Sequence, residues 1–573
     1  MSRHTFEPTN RGYAAWFYDP PCGDISLDPL KEKLLVGDIV TSSNIIDHCS
    51  RYRTERSIPG VLCLSRGTHG RRNSRQLYRC VPADPLLPVF LVPYTQKKPE
   101  FGKAPVDLYI LFEFVEWTDK HPVGLSTNTL GKVSELETTF SYLTHAAGLH
   151  HPIQKLTRHI FNAFRAHPNG VLDLESELES TLAPAQPTAW GDLITIDPQG
   201  ATDLDDAMSA VRLPGDNGFR VSVCITDPTY WLDRLGLWGM LTDRTTTLYL
   251  PAAKRPMLPP NLSEGLCSLQ AGKPRAALIL WIWLGKDGTT VESGFLGGSV
   301  CIKHNYVYEE AALKHSPTYT VLREATELAQ SADPLLDQIV DSHDVVAYWM
   351  MKYNVRAAEE LSRAGQGIYR TAPIPPTPGH SVRAGLPEDT QRLLRYWGAG
   401  GGEYTGWTDR AAHGAIGDGK RLYVQATSPI RRMCDMVNTV GLIRACGLRA
   451  HGLEEAAVFV EKWTGRVPEI QRAGKAARRL QADCELLDHC VRMKNQASVG
   501  APQPEYDGYP IEKRDRPAYS TFCFRYTVHI PALRNLVRVD TDEEWVLLAP
   551  RKFTLHLFVE ESTLSRKVRV AAS

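Results

Sequence analysis

The stretch ITIDPQGATDLDDAM, residues 194–208, carries four carboxylates within ten positions, at Asp197, Asp203, Asp205 and Asp206. The short apolar run before it is typical of a strand. So dense a group of acids repels itself unless cations neutralise it. Mg²⁺ prefers carboxylate oxygens combined with the phosphates of a substrate. The stretch therefore predicts a magnesium site and phosphate chemistry.

Two other interpretations compete with the magnesium site. A solvated acidic turn has the same composition, so composition alone does not separate the two. A calcium-binding EF-hand loop needs a central Gly and a Glu at its twelfth position, and neither is present when the count starts at Asp197 or at Asp203. Spacing therefore excludes the calcium loop, and the flanking sequence has to decide about the acidic turn.

The flanking sequence resembles a known family. Three blocks carry the resemblance: TIDPQGATDLDDA (195–207), VSVCITDPTYWL (221–232) and LYLPAAKRPMLPPNLSEGLCSL (248–269). They are similar to the catalytic domain of the ribonuclease II and ribonuclease R (RNB) family, processive 3′-to-5′ exoribonucleases. Downstream, YVQATSPIRRMCD (423–435) is similar to the family's TSPIRR signature, and HGAIGDG (413–419) precedes it. The resemblance covers roughly residues 185–495.

The resemblance implies roles for the acids. It makes Asp197, Asp203, Asp205 and Asp206 the metal-binding set. Asp197 and Asp206 are expected mainly to bind metal, and Asp205 is the residue whose loss is expected to reduce catalysis most. The implied cofactor is Mg²⁺, as one or two ions, with Mn²⁺ as a substitute. Paired divalent ions activate water and stabilise a leaving oxygen, but how the acids divide between two ions stays open.

The resemblance also implies substrate-binding residues. Arg431 matches the arginine that contacts the scissile phosphate, and Arg432 beside it is a further candidate that is expected to face elsewhere. An alternative interpretation of the same residues is a helix start, with Ser428 as N-cap and Pro429 in the first turn. The two interpretations are compatible, since a helix N-terminus also binds anions.

Two tyrosines complete the implied site. Tyr249 matches a tyrosine that stacks near the end of the threaded strand, and Tyr308 matches one close to the terminal ribose. Stacking suits an enzyme that is indifferent to base sequence. Taken alone, each tyrosine is more typical of ordinary packing.

The chain departs from the family in two places. The family has a hairpin of some tens of residues between the helix near residues 322–331 and the helix near Val345, whereas here about a dozen residues join them. The family also places an acid near Ala347 and Tyr348 to bind the ribose hydroxyl, and this chain offers Asp344. Discrimination of RNA from DNA, which depends on the 2′-hydroxyl, is therefore open.

Composition indicates a globular protein of several domains. The chain has 573 residues, 43% of them hydrophobic, which is too long for one core and predicts three or four domains. Formal net charge is zero, so affinity for nucleic acid has to come from local patches. Residues 50–80 hold such a patch, in which Arg71, Arg72, Arg75 and Arg79 are the candidate RNA contacts. A solvated basic loop is the alternative.

Several partners and compartments are excluded by pattern. The twelve cysteines show no CxxC pair and no Cys/His ligand spacing, which predicts free thiols and no zinc site. The chain has no signal core and no apolar run of membrane-spanning length. We expect a cytoplasmic protein with no membrane contact, acting on single-stranded RNA as a free-standing enzyme.

The predicted fold class is α+β multidomain, with a central RNB catalytic domain between small OB-type barrels. The expected domains are a partial or divergent cold-shock-like barrel (1–56), a cold-shock-like OB barrel (57–130), a helical segment and linker (131–184), the RNB domain (185–500) and a C-terminal OB-type RNA-binding barrel (515–573). In the last, Phe522, Phe524 and Tyr526 alternate and either form core or bind bases.

The leading hypothesis is a Mg²⁺-dependent, processive 3′-to-5′ exoribonuclease that hydrolyses single-stranded RNA to nucleoside 5′-monophosphates. One alternative is a catalytically inactive RNA-binding protein on the same fold. Another is a relative specialised for short oligonucleotides or DNA. Retention of all four acids favours the enzyme.

Overall fold

The computed structural model describes residues 3–21, 25, 27–41, 45–95, 105–185, 190–372, 385–400, 402–414, 416–449, 453–496, 503–517 and 520–573. They fall into two compact units. One comprises Met1–His150, Leu250–Ala253 and Arg478–Ser573, and the other His151–Tyr249 with Lys254–Ala477.

The N-terminal part of the first unit is built from two β-sheets. The first contains β1 (Arg3–Pro8), β2 (Trp16–Asp19), β3 (Ile39–Thr41) and β4 (Ile46–Asp47), in the order β2-β1-β3-β4. The second contains β5 (Ile58–Leu62), β6 (Arg71–Arg72), β7 (Arg75–Pro82), β8 (Phe90–Tyr94), β9 (Leu108–Glu116) and β10 (Val123–Lys132).

Hydrogen bonds close the second sheet into a ring. Strand β5 pairs with both β7 and β9, and β10 pairs with β9 on one side and runs parallel to β8 on the other. The resulting order β5-β7-β8-β10-β9 is the five-stranded Greek-key arrangement of an OB fold. The predicted OB barrel is therefore present. Buried side chains of both sheets, among them Phe6, Tyr78 and Phe112, form one hydrophobic cluster with Tyr52, which lies between the two sheets in the chain.

The barrel is followed by three helices, α1 (Leu136–Ala146), α2 (Gln154–Arg165) and α3 (Val171–Thr181). Helix α1 ends where Gly148 adopts φ +68°, a left-handed conformation that glycine reaches without a Cβ clash.

The second unit contains a closed five-stranded barrel. Its strands are β11 (Leu193–Asp197), β12 (Asp206–Arg212), β13 (Phe219–Thr226), β16 (Pro274–Leu284) and β17 (Thr290–Val307), in that order around the barrel. Strands β11 and β17 are parallel, with Asp197 opposite Val307, and the other pairs are antiparallel. A small hairpin, β14 (Leu248–Tyr249) and β15 (Lys254–Arg255), lies between β13 and β16 in the chain.

Helices dominate the rest of this unit, as the α+β prediction requires. They are α4 (Pro228–Arg234), α5 (Ala311–Lys314), α6 (Pro317–Ala332), α7 (Ser342–Arg363), α8 (Glu388–Gly400), α9 (Met433–Ala445), α10 (Leu453–Thr464) and α11 (Val467–Gln496), with the pair β18 (Ile368–Thr371) and β19 (Glu403–Gly406) among them. Helix α11 continues into the first unit.

Helix α7 is the central helix of this unit. Side chains from all round it, including Val345, Val346 and Tyr348, are buried in the cluster that also contains the barrel strands. The nine residues 333–341 join it to α6, so the short connection expected from the sequence is present.

The C-terminal strands are β20 (Tyr506–Asp515), β21 (Phe524–Ile530), β22 (Asn535–Thr541), β23 (Arg551–Val559) and β24 (Arg566–Ala572), in the order β22-β21-β20-β23-β24. This is the strand order of an OB-type barrel. Tyr526 is fully buried and Phe524 packs against the same core, whereas Phe522 precedes the strand and is 40% exposed. The core interpretation of the aromatic stripe is thus correct for two of the three. No helix in the described ranges is long and apolar enough to cross a lipid bilayer.

The turn between β12 and β13 provides a test of the barrel register. Gly218 has φ +103°, and a Cβ there would lie 2.0 Å from the carbonyl oxygen of Leu284. We expect Gly218→Ala to reduce the free energy of unfolding by about 2 kcal/mol or more, since strain and a backbone clash combine. Gly215→Ala, in the same turn, is the control: it has φ +70° but its nearest contact is at 3.5 Å. Equal decreases in melting temperature for Gly218→Ala and Gly215→Ala would contradict the argument that a backbone clash adds to the strain at Gly218.

Candidate metal and phosphate site

The acidic loop connects two neighbouring strands of the central barrel. Asp197 is the last residue of β11 and Asp206 the first of β12, so residues 198–205 form the loop. Tyr308, just after β17, donates its backbone N–H to the carbonyl oxygen of Asp197 at 3.1 Å. The parallel pairing of β11 with β17 therefore brings Tyr308 next to the acids.

Backbone hydrogen bonds hold this loop in place. Leu204 donates its N–H to Ser268 Oγ at 3.2 Å, and its carbonyl oxygen accepts from the N–H of Leu269 at 3.0 Å. The carbonyl oxygen of Asp205 accepts from the N–H of Thr226 at 2.9 Å. The loop is thus bonded to two other segments of the same unit and is preorganised.

Asp205 connects the two sequence motifs. Its side chain is almost completely buried, and Oδ1 accepts the backbone N–H of Ile430 at 3.0 Å. Its Oδ2 accepts from Nε of Arg431 at 2.7 Å. The acidic loop and the TSPIRR segment, separated by more than 200 residues of sequence, therefore meet at this carboxylate.

The backbone around Arg431 is anchored a second time. The N–H of Thr247 donates to the carbonyl oxygen of Arg431 at 3.0 Å, and the N–H of Met433 donates to that of Thr245 at 2.9 Å. The segment that leads into β14, and hence to Tyr249, runs antiparallel to the arginine segment. Both substrate-binding candidates are positioned by the same pairing.

The predicted helix start at Ser428 is wrong. Helix α9 begins at Met433 with Arg432 as its N-cap residue. Residues 428–432 form a turn instead, in which the backbone N–H groups of Arg431 and Arg432 both donate to the carbonyl oxygen of Ser428. The turn is favoured over a helix here because Asp435, in the first turn of α9, accepts the N–H of Ser428 and thereby holds this segment ahead of the helix. Arg431 thus lies ahead of the helix and not inside it.

The two adjacent arginines have different environments. The side chain of Arg431 remains 40% exposed while its Nε binds Asp205. Arg432 forms an ion pair with the fully buried Asp435, with Nη2 at 2.7 Å from Oδ1. Arg431 is the better placed of the two for a phosphate, and the expectation that Arg432 faces elsewhere agrees with its ion pair.

Asp203 is engaged through both carboxylate oxygens. Nζ of Lys254 donates to Oδ1 at 3.1 Å, and the hydroxyl of Tyr249 donates to Oδ2 at 2.9 Å. Lys254 also forms an ion pair with Glu264 at 2.6 Å. The ring of Tyr249 stays 41% exposed, so the residue is held by its hydroxyl and presents its ring.

Electrostatic strain concentrates at the other acids. Burial raises the pKa of Asp197 to about 6, and the charge of Asp203 adds to this. Burial raises the pKa of Asp205 to about 6 although Arg431 opposes the shift. The pKa of Asp206 lies well above its ordinary value because of burial, followed by the charges of Asp197 and Asp205. A cation that binds beside such carboxyl groups favours their ionised form and lowers their pKa values.

The donor set fits a divalent cation that also uses substrate oxygens. In the described part of the chain, no three His, Cys, Asp or Glu side chains are grouped as a complete protein cage for a metal ion. Oδ2 of Asp197 is nevertheless buried and has no hydrogen-bond partner in that part of the chain. Asp206 lies so close that the charge of Asp197 adds to the rise in its pKa that burial causes. Mg²⁺ is typically bound by one or two carboxylates together with phosphate oxygens and water, which is what Asp197 and Asp206 offer.

Tyr308 is stacked on a residue that the sequence motifs did not indicate. Its ring lies 3.8 Å from that of His343, with an interplanar angle of 8°. Next to it, Glu309 accepts hydrogen bonds from the backbone N–H and the hydroxyl of Ser342, at 3.0 and 2.6 Å. The start of α7 therefore fixes the position of Tyr308.

Asp344 is engaged at the start of α7. It forms a capping box with Asp341, and its Oδ2 accepts the backbone N–H groups of Val340 and Asp341. Its side chain is completely buried. The acid that the sequence offered for the ribose hydroxyl therefore stabilises a helix end.

The four candidate RNA-binding arginines lie on a hairpin of the first unit. Arg71 and Arg72 form β6, and Arg75 and Arg79 lie on β7. Arg71 and Arg75 are exposed, while Arg72 forms an ion pair with Glu116 at 2.8 Å. Two tyrosines of the same basic stretch, Tyr52 and Tyr78, belong to the core, so they do not provide stacking surfaces.

Sequence reasoning missed Lys254, Asp435 and His343. Lys254 and Asp435 lie inside the quoted blocks 248–269 and 423–435, where a basic residue in an apolar, proline-rich run and an acid four positions after an arginine were available signals. His343 lies at a helix start with no motif around it. Its contact with Tyr308 depends on the tertiary fold.

Comparison with known proteins assigns the central domain. Residues 189–366 match the family model of the RNB domain. The chain is 36% identical to Exoribonuclease 2 of Escherichia fergusonii over 159 residues, which are 27% of this chain and 24% of that protein. It is 35% identical to Exoribonuclease 2 of Escherichia coli, again over 159 residues, which are 27% of this chain and 24% of that protein. The chain thus matches about a quarter of the length of these curated relatives.

Solved structures share the architecture. Mycoplasma genitalium RNase R in complex with ribose methylated single-stranded RNA matches with a TM-score of 0.67 at 12% identity, over 100% of both chains. Yeast Ssd1, a pseudonuclease, matches with a TM-score of 0.54 at 14% identity, over 96% of this chain and 80% of that one. At such identities the likeness shows the fold alone.

The fold and the site together define an α+β protein in which OB-type barrels precede and follow, along the chain, a domain with an acidic loop. The family match identifies an RNB domain at residues 189–366 of this chain, and part of the chain is similar in sequence to the Exoribonuclease 2 proteins.

The raised pKa of Asp197 predicts that removing its charge stabilises the metal-free protein. Its pKa is higher in the folded than in the unfolded chain, so its ionisation destabilises the fold progressively as pH rises from about 4 to about 6, and fully above that. In EDTA at pH 7.5 we expect Asp197→Asn to increase the free energy of unfolding by up to about 3 kcal/mol. Thermal melts from pH 5 to 7.5 measure this.

The matched control for that experiment is Asp216→Asn, which changes an exposed acid in a turn of the same unit. The difference between Asp197→Asn and wild type should shrink towards pH 5, and millimolar Mg²⁺ should stabilise the wild type more than the variant. A destabilised Asp197→Asn protein in EDTA at pH 7.5 would refute the electrostatic argument.

Proposed function

We propose that this chain is a divalent-metal-dependent, processive 3′-to-5′ exoribonuclease that hydrolyses single-stranded RNA to nucleoside 5′-monophosphates. Mg²⁺ is the proposed ion and Mn²⁺ its substitute. The observation that carries the proposal is the double engagement of Asp205 by the N–H of Ile430 and Nε of Arg431. The Arg431 side chain, 40% exposed, thereby lies close enough to Asp197 and Asp206 for its charge to oppose the rise in pKa that burial causes at both.

The metal role is assigned to Asp197 and Asp206, with Asp203 and Asp205 as the surrounding acids. When bound, the ion supplies an activated water and neutralises charge on the phosphoryl group. The chain's own contribution is to keep two carboxylates partly buried and close together, so that binding of a cation is favoured over two ionised acids alone.

Arg431 is assigned to the scissile phosphate. A guanidinium fork binds two phosphoryl oxygens and offsets the charge that develops on them. Asp205 holds this group through Nε, which restricts the rotamers of a long side chain before substrate arrives. Preorganised charge of this kind lowers a barrier because it does not reorient during the reaction.

The tyrosines are assigned to the nucleotides next to the cleaved bond. Tyr249 presents an exposed ring while its hydroxyl binds Asp203, and Tyr308 is backed by His343. Stacking on such rings tolerates any base. The arginines Arg71, Arg72, Arg75 and Arg79 are proposed as backbone contacts of the first unit. The proposed domain boundaries are those predicted from the sequence.

One observation favours a second candidate, a relative that acts on short oligonucleotides or on DNA. The Asp344 side chain is bound in the capping box of α7, and nine residues connect α6 to α7. Contacts that would select the 2′-hydroxyl are therefore not provided by Asp344. A third candidate is an inactive RNA-binding protein, and yeast Ssd1 is a pseudonuclease of the same fold. This candidate is disfavoured because carboxylates with raised pKa values destabilise the fold when they serve no function.

Exonuclease chemistry is tested with 5′-labelled single-stranded RNA in Mg²⁺ on a denaturing gel. We expect the wild type to give a descending ladder or a short end product, and Asp205→Asn to cleave at least about 100-fold more slowly, since Arg431 loses its charged partner. Asp216→Asn serves as the control and should cleave like wild type. Absence of magnesium-dependent products from folded wild-type protein would leave an RNA-binding protein.

The second candidate is separated by substrate choice. RNA and DNA of one sequence, each as a long chain and as a dinucleotide, are compared at equal concentration. If Asp344 provides no ribose contact, Asp344→Asn lowers the melting temperature through the loss of the helix cap and leaves the ratio of RNA to DNA cleavage unchanged. A changed ratio would show that Asp344 takes part in sugar selection.

A further inference from the structure

Lys254 occupies a position of high negative charge beside the candidate metal site. Its ammonium group has three acceptors: Thr202 Oγ1 at 2.6 Å, Asp203 Oδ1 at 3.1 Å and Glu264 Oε1 at 2.6 Å. An ammonium group has three N–H donors, so these contacts use all of them. The side chain is 21% exposed, and that of Asp203 is 6% exposed.

Asp203 already has a cation beside it. Its Oδ1 accepts from Lys254, and its Oδ2 accepts the hydroxyl of Tyr249. A carboxylate has about four acceptor sites, so these two bonds do not fill it, but a divalent ion bound here would lie next to the lysine ammonium. Like charges at short range in a partly buried site repel strongly.

Among the described residues, two of the four aspartates form no ion pair with a lysine or an arginine. Lys254 is shared between Asp203 and Glu264, and Arg431 pairs with Asp205. Asp197 and Asp206 remain, and two charges are what a single divalent cation neutralises. The grouping of acids agrees with this division, because the described chain contains no cluster of three protein ligands for a metal.

We infer that Lys254 is a built-in cation that neutralises Asp203 and restricts this site to a single divalent ion, held by Asp197 and Asp206. The inference rests on the proposed function and deepens it, since it states how many metal ions the site takes and why. Lys254 acts through Asp203 and is a positioning residue, because it also orients the carboxylate that receives the Tyr249 hydroxyl.

The choice of lysine follows from its chemistry. An ammonium is a compact point charge that accommodates three acceptors around one atom, whereas a guanidinium is a planar fork. Removal of the charge while the aliphatic stem is kept, as in Lys254→Met, leaves Asp203 and Glu264 as unpaired neighbouring carboxylates. Two such acids next to an existing metal site are a new place for a divalent cation.

The test counts bound Mn²⁺ without RNA, by electron paramagnetic resonance of the full-length protein. We expect one ion per chain in the wild type, two in Lys254→Met and one in the double variant Lys254→Met with Asp203→Asn. Lys462→Met, which removes an exposed lysine paired with Asp243, is the control and should bind one ion. Two ions on the wild type, or one on a folded Lys254→Met protein, would overturn the inference.

A further variant keeps the test decisive if Lys254→Met does not fold. Asp203→Asn alone should still bind one Mn²⁺ with an affinity that changes by less than tenfold, because Asp203 acts on the site only through its charge and is not a ligand there. Loss of the ion, or a tenfold weaker affinity, would show that Asp203 binds it. Ion counting needs no catalysis, so a wild type that binds one ion but does not cleave RNA refutes the proposed function and leaves this inference intact.

Discussion

The candidate site depends on the engagement of one buried carboxylate, that of Asp205, by Ile430 and Arg431. This carboxylate accepts one neutral and one charged hydrogen bond, both from a segment far away in sequence. A buried acid left without such partners destabilises a fold by several kcal/mol. The pairing therefore determines where the TSPIRR segment lies, and the neighbouring backbone bonds to residues 245–247 extend its effect to Tyr249.

Charge balance explains why so many acids can be gathered at one end of two strands. Basic side chains form ion pairs with Asp203 and Asp205, whereas the described residues provide no such ion pair for Asp197 and Asp206. Burial raises the pKa values of Asp197 and Asp206, and it raises that of Asp205 in spite of Arg431. Raised pKa values in such a cluster are typical of a functional site, where ligand binding compensates for what folding leaves unfavourable.

The sequence was most informative where the pattern is local. The strand before Asp197 could be predicted from its local apolar pattern. The order of the motifs, the OB-type barrel after residue 57 and the short connection before α7 were predicted from the resemblance to the RNB family. Partners could not. The helix start at Met433 and the capping role of Asp344 depend on competing hydrogen bonds that the fold decides, and the stacking of His343 on Tyr308 depends on two distant elements meeting.

The separation of Asp205 from Arg431 along the chain has a consequence for biosynthesis. During translation the acidic loop emerges long before the arginine that stabilises it, so a nascent chain contains the acids without their partner. Contacts between residues so far apart in sequence form slowly, because a long loop must close first. The site is consequently incomplete until residue 431 has been synthesised, and a chain interrupted before residue 431 contains the barrel strands while lacking the group proposed to bind the phosphate.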